Sequence, residues 1–531
     1  MARARAALRR GFDRVERGLD AAFGPDWNPM AQLGPLGWFL FWIVLGTGIY
    51  LFIFFDTGVT EAYGSVRWLS TDHWWHAGVT RSLHRYASDL MVVVMFTHLV
   101  REWAFDRYRG ARWFSWITGV PVIWFVYLSG ITGYWLVWDR LAQYVATISA
   151  ELLDAVGIFG EPIARNFMSP AQLSDRFFTL MVFLHIAIPL LLLLAMWIHI
   201  QRITAARTNP PRGLAAIMLG ALIAVALVLP APLQGPADLA TVPQRLGIDW
   251  LLLGLYPVIE SVPAGVIWAG AALFTIGLIG MPWLPPRRDG RAAEVFLDHC
   301  NGCERCVADC PYAAVRLAPR SDGAPFRFEA VVDPSRCVAC GICMGACPSS
   351  SPFRRSGELI TGIDLPDQPL AALRDEVIAA GRALGDTPGT GRVLTLACGW
   401  GAGAGSTAPG RVGVPCAAMV PPAMIDFIIS RGLADGVCIA GCAERECHNR
   451  FGVAWTEARF ARTRDPYLRE RVPRERVLTV WAGPTETGRL GEELDAFARR
   501  LAAMPPYERI RPLEDAANRA APRRRQRSVA G

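Results

Sequence analysis

The sequence predicts a multidomain membrane protein: an all-α transmembrane bundle of about six spans, followed by a small α+β module and a small α/β domain. Three observations predict it. Long apolar runs dominate residues 36–284, whereas the rest of the chain reads as soluble. All 13 cysteines lie at or beyond Cys300. From Arg392 onward, strand-like and helical stretches alternate, the pattern of a small α/β domain. The 531 residues suffice for three domains, and a mean hydropathy of +0.26 with 52% hydrophobic residues is high for a soluble protein.

The apolar runs cover roughly 35–55, 82–104, 114–137, 175–201, 213–233 and 260–284, each about the 20 residues a helix needs to cross a bilayer. Arginine sets their orientation. The leader, the 101–112 loop (Arg101, Arg107, Arg109, Arg112), the 202–212 loop and Arg287, Arg288 and Arg291 fall on one side, expected to be the cytoplasmic face of a bacterial inner membrane. An even number of spans then puts both termini and the soluble half in the cytoplasm. The basic start (Arg3, Arg5, Arg9, Arg10) resembles the charged opening of a secretory signal, but the first apolar run begins only near Leu36. It is read as a retained amphipathic lead-in over 1–34. The net charge of +7 is mostly arginine at helix ends and in the tail Arg523, Arg524, Arg525, Arg527, so nucleic acid is not the expected partner. The expected boundaries are a four-helix region at 35–212, two further spans within 213–291, a cysteine-rich module at 292–356, a polar linker at 357–391, an α/β domain at 392–511 and a disordered basic tail at 512–531.

Four of the eight histidines form two pairs: His84 and His98 on the second span, His185 and His199 on the fourth, each 14 residues apart. Fourteen helical residues rise about 21 Å and return to nearly the same face. Two such helices side by side present two axial histidine pairs, one per leaflet: His84 with His185, and His98 with His199. Single buried histidines are often satisfied by hydrogen bonds, but four at one doubled spacing at bilayer depth point to function. Gly34 and Gly48, and Gly119 and Gly133, repeat the same 14-residue interval. A glycine lets a macrocycle approach the helix backbone, though small residues also serve helix packing. The absence of cysteine from this half excludes covalent c-type haem there.

These residues resemble the cytochrome b family of quinol-oxidising complexes over about 28–285. The resemblance rests on Asn28-Pro29 with Leu33-Gly34, Thr47-Gly48-Ile49-Tyr50-Leu51, Arg81-x-x-His84, Gly133-Tyr134 through Trp138-Asp139, and His185-x-x-x-Pro189 leading to His199. It implies two haem b groups on those histidine pairs, Arg81 and Arg101 neutralising haem propionates, quinone as redox partner, and a homodimer. The family carries a Pro-Glu-Trp-Tyr motif at its outer quinol site. Here the stretch is Gly247-Ile248-Asp249-Trp250, with Tyr256-Pro257 and Glu260-Ser261-Val262-Pro263 beyond. Asp249 stands where the glutamate would be and is the expected acceptor of the quinol proton; the competing reading is an interfacial Asp at a helix start. His73 and His76, with Trp74 and Trp75 beside them, read as an interfacial helix with an aromatic belt rather than ligands.

Cys300, Cys303, Cys306 and Cys310-Pro311 spell C-x-x-C-x-x-C-x-x-x-C-P, and Cys337, Cys340, Cys343 and Cys347-Pro348 repeat it. This is the two-cluster bacterial ferredoxin pattern, in which the fourth cysteine of each run ligates the other cluster. One [4Fe–4S] cluster is expected on Cys300, Cys303, Cys306 and Cys347, the other on Cys337, Cys340, Cys343 and Cys310. Zinc would take one self-contained tetrad per site.

Five cysteines remain: Cys398, Cys416, Cys438, Cys442 and Cys447. Cys398-Gly399-Trp400, Pro415-Cys416, Asp435-Gly436-Val437 and Gly441-Cys442 through Cys447-His448 resemble the delta subunit of methyl-viologen-reducing hydrogenase over about 392–505. The resemblance implies a [2Fe–2S] cluster and electron exchange with a hydrogenase or formate dehydrogenase partner. That family has a second cysteine after the tryptophan, where this chain has Gly401. Cys398, Cys416, Cys442 and Cys447 remain as the expected ligands, with an empty docking domain as the alternative. Cys438, between Val437 and Ile439, reads as a packed small hydrophobe, and His448 as either a tuning or a structural group.

No dinucleotide fingerprint, P-loop or catalytic triad is present, and the glycine-rich 401–405 lacks the acidic residue a dinucleotide site would need. The expected function is therefore an electron-transfer subunit of a quinone-linked oxidoreductase. Substrate oxidation would lie in a cytoplasmic flavin- or molybdenum-containing dehydrogenase partner. A quinol-oxidising, reversed or electron-splitting role uses the same parts. A redox-sensing membrane scaffold is the reading from another class, and a neighbouring dehydrogenase gene would discriminate against it.

Overall fold

The computed structural model describes residues 2–507 apart from 159, 168–172, 202–205, 244, 285–289, 354–358, 386 and 406–407. The expected basic tail at 512–531 and Arg287 and Arg288 lie outside the described residues. The chain divides into two compact units, Met1–Arg287 and Arg288–Gly531.

The first unit is helical. Helix α1 (Ala2–Phe23) is amphipathic, and its charges face the 101–109 segment: Arg5 Nη1 lies 2.6 Å from Asp106 Oδ1, and Glu16 Oε1 2.9 Å from Arg101 Nε. Asn28 closes the lead-in, its amide donating to the Glu16 carbonyl at 3.0 Å while its Oδ1 accepts from the Met30 N–H. Then come α2 (Leu33–Ile53), α3 (Ala62–Thr71), α4 (Val79–Ala104), α5 (Trp113–Val137), α6 (Arg140–Asp154), α7 (Asp175–Ile200), α8 (Arg212–Val228), α9 (Tyr256–Ser261) and α10 (Ala264–Gly280). The α2/α4 and α5/α7 pairs are the closest associations, with α8 against α4 and α10 against α5. The core between them is Leu36, Leu40, Phe41, Met91, Val126, Leu192 and Leu253.

Among the described residues, four helical stretches are long and apolar enough to cross a membrane: Pro29–Ile53, Trp113–Val137, Phe178–Ile200 and Ala264–Trp283. The expected count of six rests on two further helices. Helix α4 has 26 residues but carries Arg81, Arg85, Asp89, Arg101 and Glu102. Helix α8 is apolar but has 17 residues. Outside the spans, α3 and a π-helical turn (Trp74–Gly78) occupy the loop that holds His73 and His76. His76 Nδ1 lies 2.7 Å from Tyr50 Oη, and the His73 ring lies against Trp68.

The second unit begins with β1 (Glu294–Val295), α11 (Arg305–Asp309), β2 (Val315–Pro319), β3 (Phe328–Val332), α12 (Ile342–Ala346) and β4 (Ile363–Asp364). Strand β2 pairs antiparallel with β3, and β1 with β4. The two short helices α11 and α12 each carry one cysteine of a run, Cys306 and Cys343. Next come α13 (Leu370–Ala383), β5 (Val393–Cys398), β6 (Arg411–Val414), α14 (Pro422–Ser430), β7 (Gly436–Gly441), α15 (Gly452–Phe460), β8 (Val477–Trp481) and α16 (Thr487–Ala502). The four later strands form one parallel sheet in the order β6-β5-β7-β8.

The stretch expected as a linker, 357–391, is largely built into this unit. Strand β4 completes a ladder with β1, and α13 buries Leu370, Leu373 and Val377 completely against the sheet domain. Leu370, Leu373 and Val377 sit at helical spacing, so the polar residues between them form the outer face of an amphipathic helix.

Candidate haem and iron–sulfur centres

The ring centroids of His84, on α4, and His185, on α7, are 6.4 Å apart, room for one metal atom at about 2 Å from a nitrogen of each. They line a cavity of about 480 Å³ with Gly48, Gly133, Pro189, Arg81 and Tyr134. A Cβ on Gly133 would lie 2.9 Å from His185 Cε1, and one on Gly48 3.1 Å from His84 Cε1. In the other half of the bundle, a Cβ on Gly119 would lie 3.2 Å from His199 Cε1. These glycines therefore leave space for the imidazoles themselves. Gly34 differs: an added Cβ meets nothing within 4 Å, so the structure does not set it against His98.

A threonine precedes each of the three close glycines. Thr47 Oγ1 donates to the Ile43 carbonyl at 2.7 Å, and His84 Nδ1 lies 3.1 Å from it. Thr118 Oγ1 donates to Phe114 and meets His199 Nδ1 at 3.3 Å; Thr132 Oγ1 donates to Leu128 and meets His185 Nδ1 at 3.2 Å. A hydroxyl whose proton is committed to the preceding turn can only accept from the ring. Nδ1 therefore carries the proton and Nε2 keeps its lone pair for a metal. His84 Nδ1 also reaches the Val44 carbonyl at 3.0 Å, which only a donor can use. The sequence reading missed these threonines, although Thr-Gly at 47–48, 118–119 and 132–133 repeats visibly.

In the second unit, Cys300, Cys303, Cys306 and Cys347 line one small cavity. Burial pushes the Cys306 thiol up to about 12, with Cys347, Cys303 and Cys300 adding to the shift. Burial likewise raises Cys340 and Cys343, with Cys337 and Cys310 among the neighbours that reinforce it. Crowded thiols resist ionisation unless a cationic core shares their charge. Both runs thus supply their last cysteine to the other's group. Among the described residues no three His, Cys, Asp or Glu side chains are spaced for a single metal ion; a cubane needs thiolates spread around four irons.

The later cysteines gather at the carboxyl ends of parallel strands. Cys398 ends β5, Cys416 lies just beyond β6, and Cys442 just beyond β7. Because β6 and β7 flank β5, these ends meet at the switch point of the sheet, where α/β folds open a crevice. Cys398 Sγ is 3.8 Å from Cys442 Sγ, and a Cβ on Gly452 would strike Cys416 Sγ and come within 3.3 Å of Cys447 Sγ. Burial holds the Cys416 thiol well above its ordinary value, with Cys447, Cys340 and Cys442 contributing. Cys438 is packed among Ala397, Ala440, Val480 and Leu490, away from this group. A side chain at Gly401 would collide with the Gly441 carbonyl, so this loop has no room for a further ligand there. Trp400 stacks on His448 at 3.5 Å with rings 5° from parallel.

Residues 23–206 match the family model of cytochrome b/b6/petB. This stretch is similar to cytochrome b. Residues 299–351 match a 4Fe-4S dicluster domain, and 409–505 match the delta subunit of methyl-viologen-reducing hydrogenase; Cys398 lies before that last match. A solved structure described as a hyperthermophilic respiratory complex III is 19% identical, covering 48% of this chain and 74% of its own, with a TM-score of 0.37. A cytochrome b region joined to a dicluster domain makes the chain a multi-pass membrane electron-transfer subunit, with haem b and [4Fe–4S] as its cofactor types.

Within the cytochrome b region, Arg81 lines the histidine cavity while donating to the Ala231 and Pro232 carbonyls at 2.8 and 3.1 Å. Arg101 is buried and paired with Glu16 of α1, a carboxylate of the chain itself. Asp249 is buried; its Oδ2 accepts from Tyr134 Oη at 2.5 Å and lies 3.6 Å from Arg85 Nη2. Its Oδ1 accepts from the Leu251 N–H at 2.9 Å, capping the turn that follows. Both readings of Asp249 thus keep a structural basis, since one oxygen caps and the other faces Tyr134, which borders the cavity.

Proposed function

We propose that this subunit passes electrons between a cytoplasmic low-potential dehydrogenase partner and the quinone pool. The relay comprises a [2Fe–2S] cluster on Cys398, Cys416, Cys442 and Cys447, two [4Fe–4S] clusters on the crossed cysteine sets, and two b haems. The haems sit between His84 and His185 and between His98 and His199. The observation that carries the reading is the gathering of Cys398, Cys416, Cys442 and Cys447 at the carboxyl end of one sheet within the unit that holds the ferredoxin cysteines. A chain with that many ligand sets is suited to conduct electrons. The protein's part is to fix the imidazole tautomers through Thr47, Thr118 and Thr132 and to shield the thiolates other than the exposed Cys303. In this reading the chain crosses a bacterial inner membrane six times with the termini and the iron–sulfur unit cytoplasmic, an orientation the arginine-rich 101–112 loop supports, and two copies pair through the cytochrome b-like region.

A second reading is supported by the Tyr134–Asp249–Arg85 arrangement. Asp249 takes a proton from quinol on the outer side, and the subunit then runs in reverse or splits electrons between two routes. Purification from the membrane with counting of haem, iron and co-purifying proteins tests the main reading. Two haems, about ten cluster irons and a flavin or molybdenum partner that reduces quinone are the expected result. Absence of any dehydrogenase partner, with quinone-dependent binding of a regulator instead, would overturn it in favour of a redox-sensing scaffold.

A further inference from the structure

The sequence does not say which of the two ferredoxin cysteine sets neighbours the C-terminal set. We infer that the neighbour is Cys310/Cys337/Cys340/Cys343 and that Arg459 is the positioning residue that fixes this junction. The relay order in the second unit is then C-terminal set, second ferredoxin set, first ferredoxin set. The inference rests on the proposed reading of Cys398, Cys416, Cys442 and Cys447 as a cluster site.

The junction is directly packed. Cys416, Ile342 and Ala418 form one apolar cluster, with Cys340 and Trp455 against it. The backbone of α12 touches the turn after Cys416 so closely that any side chain at Gly345 would collide with the Ala418 carbonyl. Arg459, from α15, is 1% exposed and reaches all three ligand-bearing segments. Its Nη2 lies 2.6 Å from Asp309 Oδ2, one residue before Cys310. Nη2 also donates to the Ile342 carbonyl, one residue before Cys343, at 3.4 Å. Its Nη1 donates to the Ala418 carbonyl, two residues after Cys416, at 2.7 Å. Trp455 Nε1 donates to the Asp309 carbonyl at 3.3 Å, and Arg464 Nε to Asp309 Oδ1 at 2.7 Å. A planar guanidinium offers five donors in a fixed fork, so one side chain locks three strands of chain where a lysine would hold at most a point contact. The other ferredoxin set has a different setting. Its cavity is bordered by His299, Asn301 and Glu304, and Cys303 is exposed. It is therefore the outward end of the series.

The test is electron paramagnetic resonance of the purified full-length subunit after chemical reduction, with iron and haem counted on each sample. In the natural protein, the C-terminal cluster's signal is expected to relax fast through a neighbouring paramagnet. Cys303→Ala, which removes a first-set ligand, leaves that relaxation unchanged. Cys340→Ala slows it several-fold. The opposite pattern overturns the order. Arg459→Met weakens the coupling with iron content kept, and Arg459→Lys recovers part of it; unchanged coupling in Arg459→Met at full iron content overturns the positioning role. Should Arg459→Met fail to fold, the cysteine pair still decides the order. Natural protein with about eight cluster irons and no C-terminal signal would instead overturn the cluster reading itself, an outcome the iron count separates from a wrong order.

Discussion

A threonine hydroxyl that has already given its proton to its own helix is a tautomer lock, and three of the four paired histidines meet one. Thr132→Val removes the acceptor from His185 Nδ1 and keeps the shape. Loss of such an outer partner costs roughly 10–100-fold in metal affinity, so Thr132→Val is expected to release haem from the His84–His185 site at lower detergent or denaturant exposure. Haem retained per chain, read from the absorbance of the extracted pigment, checks this. The two histidine pairs were legible because period and side chain coincide. The threonines were not, because Thr inside an apolar helix ordinarily bonds the preceding turn and nothing in its spacing says that it also faces a ring. Asp249 was found by its place after Gly247-Ile248, whereas its partner Tyr134 sits 115 residues earlier, a distance no local pattern bridges. Asp249→Asn keeps the cap but loses the carboxylate. If the quinol route operates, haem reduction by added quinol is expected to fall about 10²–10⁴-fold; an unchanged rate removes Asp249 from the chemistry.

Helices and strands carry a different kind of expectation. At Gly34 an added methyl meets no protein atom within 4 Å, so haem lost from Gly34→Ala would come from a macrocycle pressing on that backbone. Gly133→Ala instead drives a methyl into the His185 ring and is expected to cost haem. Parallel measurement of haem content and thermal unfolding for the two variants separates the roles. The 14-residue glycine interval sets Gly48, Gly119 and Gly133 against histidine rings and leaves Gly34 without a protein neighbour, because a repeat in sequence fixes a helix face but not what stands opposite it. Helix α13 was hidden for another reason: 357–391 has enough charged residues to look like a spacer, and its apolar stripe of Leu370, Leu373 and Val377 is short. Leu373→Ala should destabilise the second unit by about 2–5 kcal/mol, measurable by denaturant unfolding. In the same sheet domain, burial alone would raise Asp435, yet Arg392 and the Gly389 and Arg392 N–H groups bring it below the usual carboxylate value. A depressed pKa adds stability above the unfolded value and loses it as the pH falls through the folded one. Arg392→Met is therefore expected to move acid unfolding of this domain to higher pH, followed by tryptophan fluorescence.

For the whole molecule, the fold class was legible because each part announces itself by a different physical signal: apolar length, cysteine spacing, alternation of strand and helix. What stayed hidden was assembly. Nothing in the spacing of Cys416 or Cys340 says that they share one apolar cluster, since that contact is made by Arg459 and Asp309, residues 150 positions apart. Two compact units predict that residues 288–531 alone remain soluble and keep their iron, which expression of that piece and iron analysis would check. The crossed cysteine sets carry a last consequence, for biosynthesis. Under the proposed ligand sets, the first run cannot complete its metal centre when it leaves the ribosome, because Cys347 has not yet been made, and the second cannot complete its own without reaching back to Cys310. Maturation is thereby deferred until both runs exist, so a chain truncated between them can hold neither cubane and is exposed, still thiol-rich, to quality control.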